Sequence, residues 1–169
     1  FNPNGKGSLK TFVEEYLPAY ESSKDNGYIS FMTNNHDMPR VTAYLDKQAV
    51  KLVDAFIFTM PGVPFLYYGD EIGMRYQSNL VSKEGGFSRT GSRTPMQWGS
   101  GKNLGFSTSD EPYLPVDKSD DAPTVENQKD GPDSIYKVIT DMIALRHKYD
   151  DLKGNGDLEF IYEEGKLPF

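Results

Sequence analysis

The chain has 169 residues, of which 37% are hydrophobic and 13% aromatic, enough to build a folded core. A formal net charge of −7 repels phosphate backbones and argues against nucleic acid as a partner. With no cysteine and only His36 and His147 as histidines, disulfides, thiolate metal sites and His-rich metal clusters are excluded. No apolar run reaches the roughly 18 residues needed to span a bilayer. The first residue is Phe1, so the sequence leaves open whether a leader precedes it, and with it the compartment.

In chain order, Ser8 is positioned to cap a helix whose apolar face is Leu9, Phe12, Val13, Tyr16 and Leu17. Pro18 should end that helix. Residues 28–33 (YISFMT) are aromatic and β-branched and read as a short buried strand, followed by the polar run NNHDMPR at 34–40. A second helix is predicted over 46–60, with Ala49, Leu52, Val53, Phe56 and Met60 inward, and Pro61-Gly62 breaks it. Residues 63–68 (VPFLYY) read as a second buried strand that exits into Gly69, Asp70 and Glu71.

Residues 70–131 show little periodicity, and a segment that long without its own pattern is usually functional. A third helix is predicted from Pro132 at its first position to about Tyr149, with Ile135, Val138, Ile139, Met142, Ile143 and Leu145 on its apolar face. Residues 157–162 (DLEFIY) read as a strand that opens a different, all-β module. The order helix, strand, helix, strand with short loops is that of βα units around a parallel sheet. In such sheets functional side chains gather at the C-terminal strand ends, where NNHD, GDE and the long segment all emerge.

Asn34, Asn35, His36 and Asp37 place four hydrogen-bonding side chains directly after a buried strand. That cluster suits a hydroxyl-rich ligand, and a carboxylate there can stabilise an oxocarbenium-like transition state; an Asn/Asp-stabilised turn is the plainer alternative.

These residues, together with GVPFLYYGDEIGM at 62–74, SRTPMQW at 92–98, NLGFS at 103–107, VENQ at 125–128 and PDSIYKVITDMIALR at 132–146, resemble the α-amylase superfamily of glycoside hydrolases. The resemblance is to its oligo-1,6-glucosidase and trehalose-synthase branch and covers about residues 25–162. It implies an α/β fold: the C-terminal portion of a (β/α)8 TIM barrel, about two βα units and a long loop (residues 1–150). The first strand of a C-terminal β-domain would follow (151–169). It implies a retaining mechanism in which Asp37 stabilises the transition state, while the nucleophile and the general acid follow the fourth and fifth barrel strands and have no counterpart here.

By the same resemblance His36 bonds sugar hydroxyls, and Arg40 either lines the glucose subsite or forms a structural ion pair. Arg93 and Trp98 belong to the RTPMQW motif; Arg93 is a substrate-binding candidate, and Trp98 either stacks on a sugar or anchors the loop. Asp70 and Glu71 become structural, and His147 complements the dipole at a helix end. Gly131 stands where the branch usually has an Asp helix cap.

No cofactor is expected; any calcium site of the kind the family carries would belong to parts of a parent outside this chain. The expected ligand is an α-linked glucoside. Alone, the chain should be inactive and either self-associate or need the rest of the barrel. A trehalose-synthase or sucrose-isomerase activity, and a non-catalytic barrel such as a transporter heavy chain, are the alternative readings.

Overall fold

The computed structural model describes residues 7–83, 85 and 89–161. Helix α1 (Leu9–Ser23) starts where Ser8 accepts the Thr11 N–H, and buries Val13, Tyr16 and Tyr20. It runs straight through Pro18, against the expected stop. Proline lacks the N–H that would bond the Glu14 carbonyl. Pro18 and Glu14 are both exposed, so water can serve that carbonyl. Beyond the proline the helix is held by packing: the Tyr16 and Tyr20 rings stack at 5.7 Å, and the Tyr20 hydroxyl donates to the Gly156 carbonyl at 3.0 Å.

Strand β1 (Ser30–Met32) and strand β2 (Val63–Phe65) form a two-stranded parallel sheet with Ser30 opposite Val63 and Met32 opposite Phe65. Both are shorter than the sequence predicts, and their expected burial is not reached: Met32 is 47% and Phe65 53% exposed. Among the described residues no further strand covers these side chains, although β-branched and aromatic residues supply the extended backbone.

Helix α2 (Lys47–Thr59), capped by the Asp46 carboxylate on the Ala49 N–H, crosses between the strands. It buries Val50, Val53, Ile57 and Phe58, while Leu52, predicted inward, is 72% exposed. Apolar residues occur all round this helix, so the period alone does not settle which face turns in.

Helix α4 (Ile135–Lys148) packs on α2, with Val50, Ile57 and Phe58 against Ile135 and Ile139. Fully burying such an aliphatic side chain stabilises by roughly 1.5–3 kcal/mol. Its cap is Ser134, whose side chain accepts the Lys137 N–H; Pro132 and Gly131 lie before the helix rather than at its start. Arg146, in its last turn, donates to the carbonyls of Phe58, Met60 and Gly62 and so closes the end of α2. Gly62 is required in this turn: its φ is 111°, and a Cβ there would lie 2.2 Å from the Ile29 carbonyl oxygen.

The long segment after β2 is ordered by local devices rather than by a periodic helix. Ile72, Met74 and Met96 pack with Val125 and Tyr136. A one-turn helix, α3 (Val125–Gln128), carries a reciprocal cap between Thr124 and Asn127. Residues 157–161, read as a strand, pair with no strand among the described residues; Leu158 and Phe160 pack against the aromatic cluster of α1 instead. Tyr162 lies outside the described residues.

Candidate active site

The polar run after β1 divides between inside and outside. Asn34 points inward, 2% exposed, and donates to Asp70 Oδ2 at 3.1 Å. Asn35 accepts the Asp37 N–H at 2.8 Å and fixes the turn. His36 and Asp37 face outward, with His36 Nε2 3.2 Å from Asp37 Oδ2.

Two guanidinium groups converge on Asp37. Arg89 Nη1 and Arg93 Nη2 each donate to Oδ1 at 2.9 Å, and Arg93 Nε donates to the His36 carbonyl at 2.9 Å. The Arg89 hydrogen bond, followed by the charges of His36 and Arg89 and the bond from Arg93, holds the Asp37 carboxyl below its ordinary range. Asp37 is therefore an oriented, ionised carboxylate at the C-terminal end of a barrel strand. Arg93 and His36, each expected to bind substrate, both lie against Asp37. Arg89 was missed, because it lies 52 residues from Asp37 in a segment without periodicity.

Arg40 sits behind this surface. It is 0% exposed; Nη1 donates to the Tyr68 carbonyl at 2.8 Å and Asp70 Oδ1 at 3.2 Å, and Nη2 to the Ser92 carbonyl at 3.0 Å. Its guanidinium carbon lies 4.9 Å from both the Tyr67 and Tyr68 ring centres. Such a group has no surface to offer a ligand; of the two roles expected of it, the geometry is that of the ion pair. Burial pushes the Asp70 carboxyl up to about 6, against the lowering influence of Asn34, Arg40 and the Tyr67 N–H. Burial, then the charge of Asp70, pushes Asp54 on α2 up to about 7.

The 92–98 motif is tied to both strand exits. The Ser92 hydroxyl donates to the Met38 carbonyl and the Tyr68 hydroxyl to the Thr94 carbonyl at 2.7 Å. Gln97 is buried and donates to the Pro123 carbonyl. Trp98 contributes its backbone to this scaffold, accepting the Glu126 N–H at 2.9 Å, while its side chain is 53% exposed. It borders a cavity of about 440 Å³ that Arg93 and Glu71 also line. A second cavity, of about 300 Å³ and bordered by Lys24, Tyr28 and Asn155, lies at the opposite strand ends, away from Asp37. His147 is in the last turn of α4, where a basic side chain suits the helix dipole. Among the described residues no cluster of three or more His, Asp or Glu could hold a metal ion.

A parallel βαβ unit with a clamped carboxylate at the strand exit places a charged group where α/β barrels and open α/β sheets alike carry their functional residues. The family described as alpha amylase, catalytic domain, matches residues 6–155, and the chain belongs to that family. A probable oligo-1,6-glucosidase 2 of Bacillus subtilis (strain 168) is 35% identical over 78% of this chain and 30% of its own length. Maltase 1 of Drosophila virilis is 32% identical over 78% of the chain and 22% of its own length. The amino acid transporter heavy chain SLC3A1 of Mus musculus is 31% identical over 86% and 21%. The chain thus spans less than a third of the length of these relatives.

Among solved structures, isomaltulose synthase from Erwinia rhapontici NX5 aligns with a TM-score of 0.74 at 24% identity, covering 88% of this chain and 33% of that one. The trehalulose synthase MutB aligns with 0.76 at 21%, covering 92% and 34%. At these identities the likeness establishes the fold: the C-terminal portion of a TIM barrel.

Proposed function

We propose that this chain supplies the transition-state-stabilising carboxylate of a retaining α-glucosidase acting on short α-linked glucosides. The observation that carries the reading is Asp37, fixed in place and kept ionised by Arg89, Arg93 and His36 at the exit of β1. An anion aimed at the sugar ring opposes the positive charge that develops as the glycosidic bond breaks. His36, half open to solvent beside it, would bond the sugar's hydroxyls. Arg93 and Arg89 position Asp37, and Arg40 positions the loop that carries it. The nucleophile and the general acid would come from barrel strands outside this chain, and the reaction needs no cofactor.

The relatives named as an oligo-1,6-glucosidase and a maltase support hydrolysis. An isomerase would share every step up to the glycosyl intermediate and differ in whether water or the released sugar accepts it. The similarity to a transporter heavy chain makes a non-catalytic barrel the competing reading.

The test is turnover of isomaltose and an aryl α-glucoside by a complete barrel containing this chain, with product analysis. Free glucose, and its loss by at least about a hundredfold in Asp37→Ala, is expected. A rearranged disaccharide would replace hydrolase by isomerase, and activity undiminished in Asp37→Ala would remove the proposed role. The chain alone should show no turnover.

A further inference from the structure

We propose that Asp54 is a positioning residue for Asp37: its buried carboxyl carries the proton that lets Asp70 hold the loop presenting Asp37, and losing that proton at alkaline pH loosens the loop. The consequence for turnover rests on the α-glucosidase reading above; the coupling between Asp54 and Asp70 does not.

Asp54 lies on the buried face of α2, 2% exposed, and its Oδ2 has no hydrogen-bond partner among the described residues. The charged groups on the elements around it are committed elsewhere. On α2 itself, Asp46 caps the first turn, and Lys47 and Lys51 both bind Asp133. On α4, Lys137 pairs with Asp141, Arg146 donates to backbone carbonyls at the end of α2, and His147 and Lys148 are exposed. At the strand exits, Arg89, Arg93 and His36 surround Asp37, and Arg40 binds Asp70. The charge that reaches Asp54 is that of Asp70, a second carboxyl, on which Glu71 also acts. Burial with neither cation nor donor favours the neutral acid, and a like charge nearby favours it further.

Asp70 is the opposite kind of carboxyl. Its Oδ2 accepts from Asn34 Nδ2 at 3.1 Å and from the Tyr67 N–H at 3.2 Å, and its Oδ1 from Arg40 Nη1 at 3.2 Å. All three donors favour its ionised form. Asn34 and Arg40 bracket Asp37 on either side in the chain, so one carboxylate ties down both ends of the loop that carries it. Arg40 also donates to the Ser92 carbonyl at 3.0 Å, and the Ser92 hydroxyl donates to the Met38 carbonyl. The next residue, Arg93, donates to Asp37 Oδ1 at 2.9 Å.

Two buried acids thus face one buried guanidinium, and charge balances when Asp70 is ionised and Asp54 is not. As pH rises, Asp54 gives its proton to solvent and becomes an anion with no cation of its own. The repulsion is relieved by Asp70 taking up a proton, which frees Arg40 and Asn34, or by α2 parting from the loop. Both routes release the ends of residues 34–40, and with them the aim of Asp37.

The experiment follows the complete barrel from pH 6 to pH 8 as wild type, Asp54→Asn and Asp54→Leu; neither variant can ionise at this position. The first readout is kcat/KM for isomaltose at pH 8 divided by that at pH 6. Over that span a carboxyl raised to about 7 sheds about nine-tenths of its protons, so the ratio in both variants should exceed the wild-type ratio by up to about tenfold. The second is deuterium protection of the amides of 34–40 and 67–70, taken relative to intrinsic exchange. It should fall across the span in wild type and stay level in the variants. A ratio matching wild type in both variants overturns the proposal, as does an equal loss at both pH values, the mark of a structural role alone. Protection that falls in the variants as it does in wild type overturns it too. If one substitution prevents folding, the other carries the test. A barrel that turns over nothing at either pH would sink the glucosidase reading, while protection would still decide the coupling.

Discussion

Asp37 is an exposed carboxylate whose ionisation is set by two arginines drawn from one distant segment. Arg89→Ala removes the largest of the influences that lower it, so the Asp37 midpoint should move up toward the ordinary carboxylate range. A carbon-detected NMR titration of Asp37 checks this, and an unmoved midpoint would transfer the control to Arg93 and His36. Asp54 behaves in the opposite sense. It is 2% exposed, its Oδ2 accepts no hydrogen bond among the described residues, and burial raises it to about 7. A carboxyl whose folded value lies above its unfolded one binds protons more tightly when folded. Stability is then intact below about pH 4 and falls as pH rises toward 7. Asp54→Asn should accordingly raise the unfolding free energy by on the order of 1–3 kcal/mol at pH 8 and by little at pH 4, as denaturant titrations at the two pH values would show. The NHD carboxylate is legible in sequence because it follows directly on a strand; its arginine clamp is not, since Arg89 and Arg93 reach it only through the tertiary path of residues 70–131.

At the scale of elements, local chemistry decides more than period does. Ser134 caps α4 through the Lys137 N–H, and Ser134→Ala should cost about 1 kcal/mol, whereas Asp130→Ala should change stability by less than about 0.5 kcal/mol. Equal losses would assign a capping role to Asp130 as well. The predicted start at Pro132 has a simple origin: proline at a helix start and serine two residues later are both good start signals, and only the hydrogen bond separates them. The continuation of α1 past Pro18 is similar, because the sequence shows the missing donor but not that the freed carbonyl faces water. Asn103→Ala removes two hydrogen bonds and puts a methyl-bearing residue with no local acceptor into the left-handed region. It should cost roughly 1–3 kcal/mol and shift the emission of Trp98, the sole tryptophan, to longer wavelength.

At the scale of the whole molecule, the two parallel strands have no further strand on either edge among the described residues, and Met32 and Phe65 are half exposed. Open edges and uncovered apolar side chains are templates for pairing. The chain alone should therefore sediment as a concentration-dependent mixture of species, and a monodisperse monomer with a cooperative melt would show that this unit is self-sufficient. The order of βα units was legible from hydrophobic runs and their breakers; the openness of the sheet was not, because each strand reads as buried when taken by itself. Arg40 adds a kinetic consequence. One guanidinium joins positions 28, 30 and 52 residues away in the chain: the Tyr68 carbonyl, Asp70 and the Ser92 carbonyl. Amide hydrogens around Arg40, around 68–70 and around Ser92 should exchange with deuterium as one cooperative unit. Losing that side chain would release the stretches to open at separate rates, a dynamic fault that a steady-state assay would mistake for a chemical one.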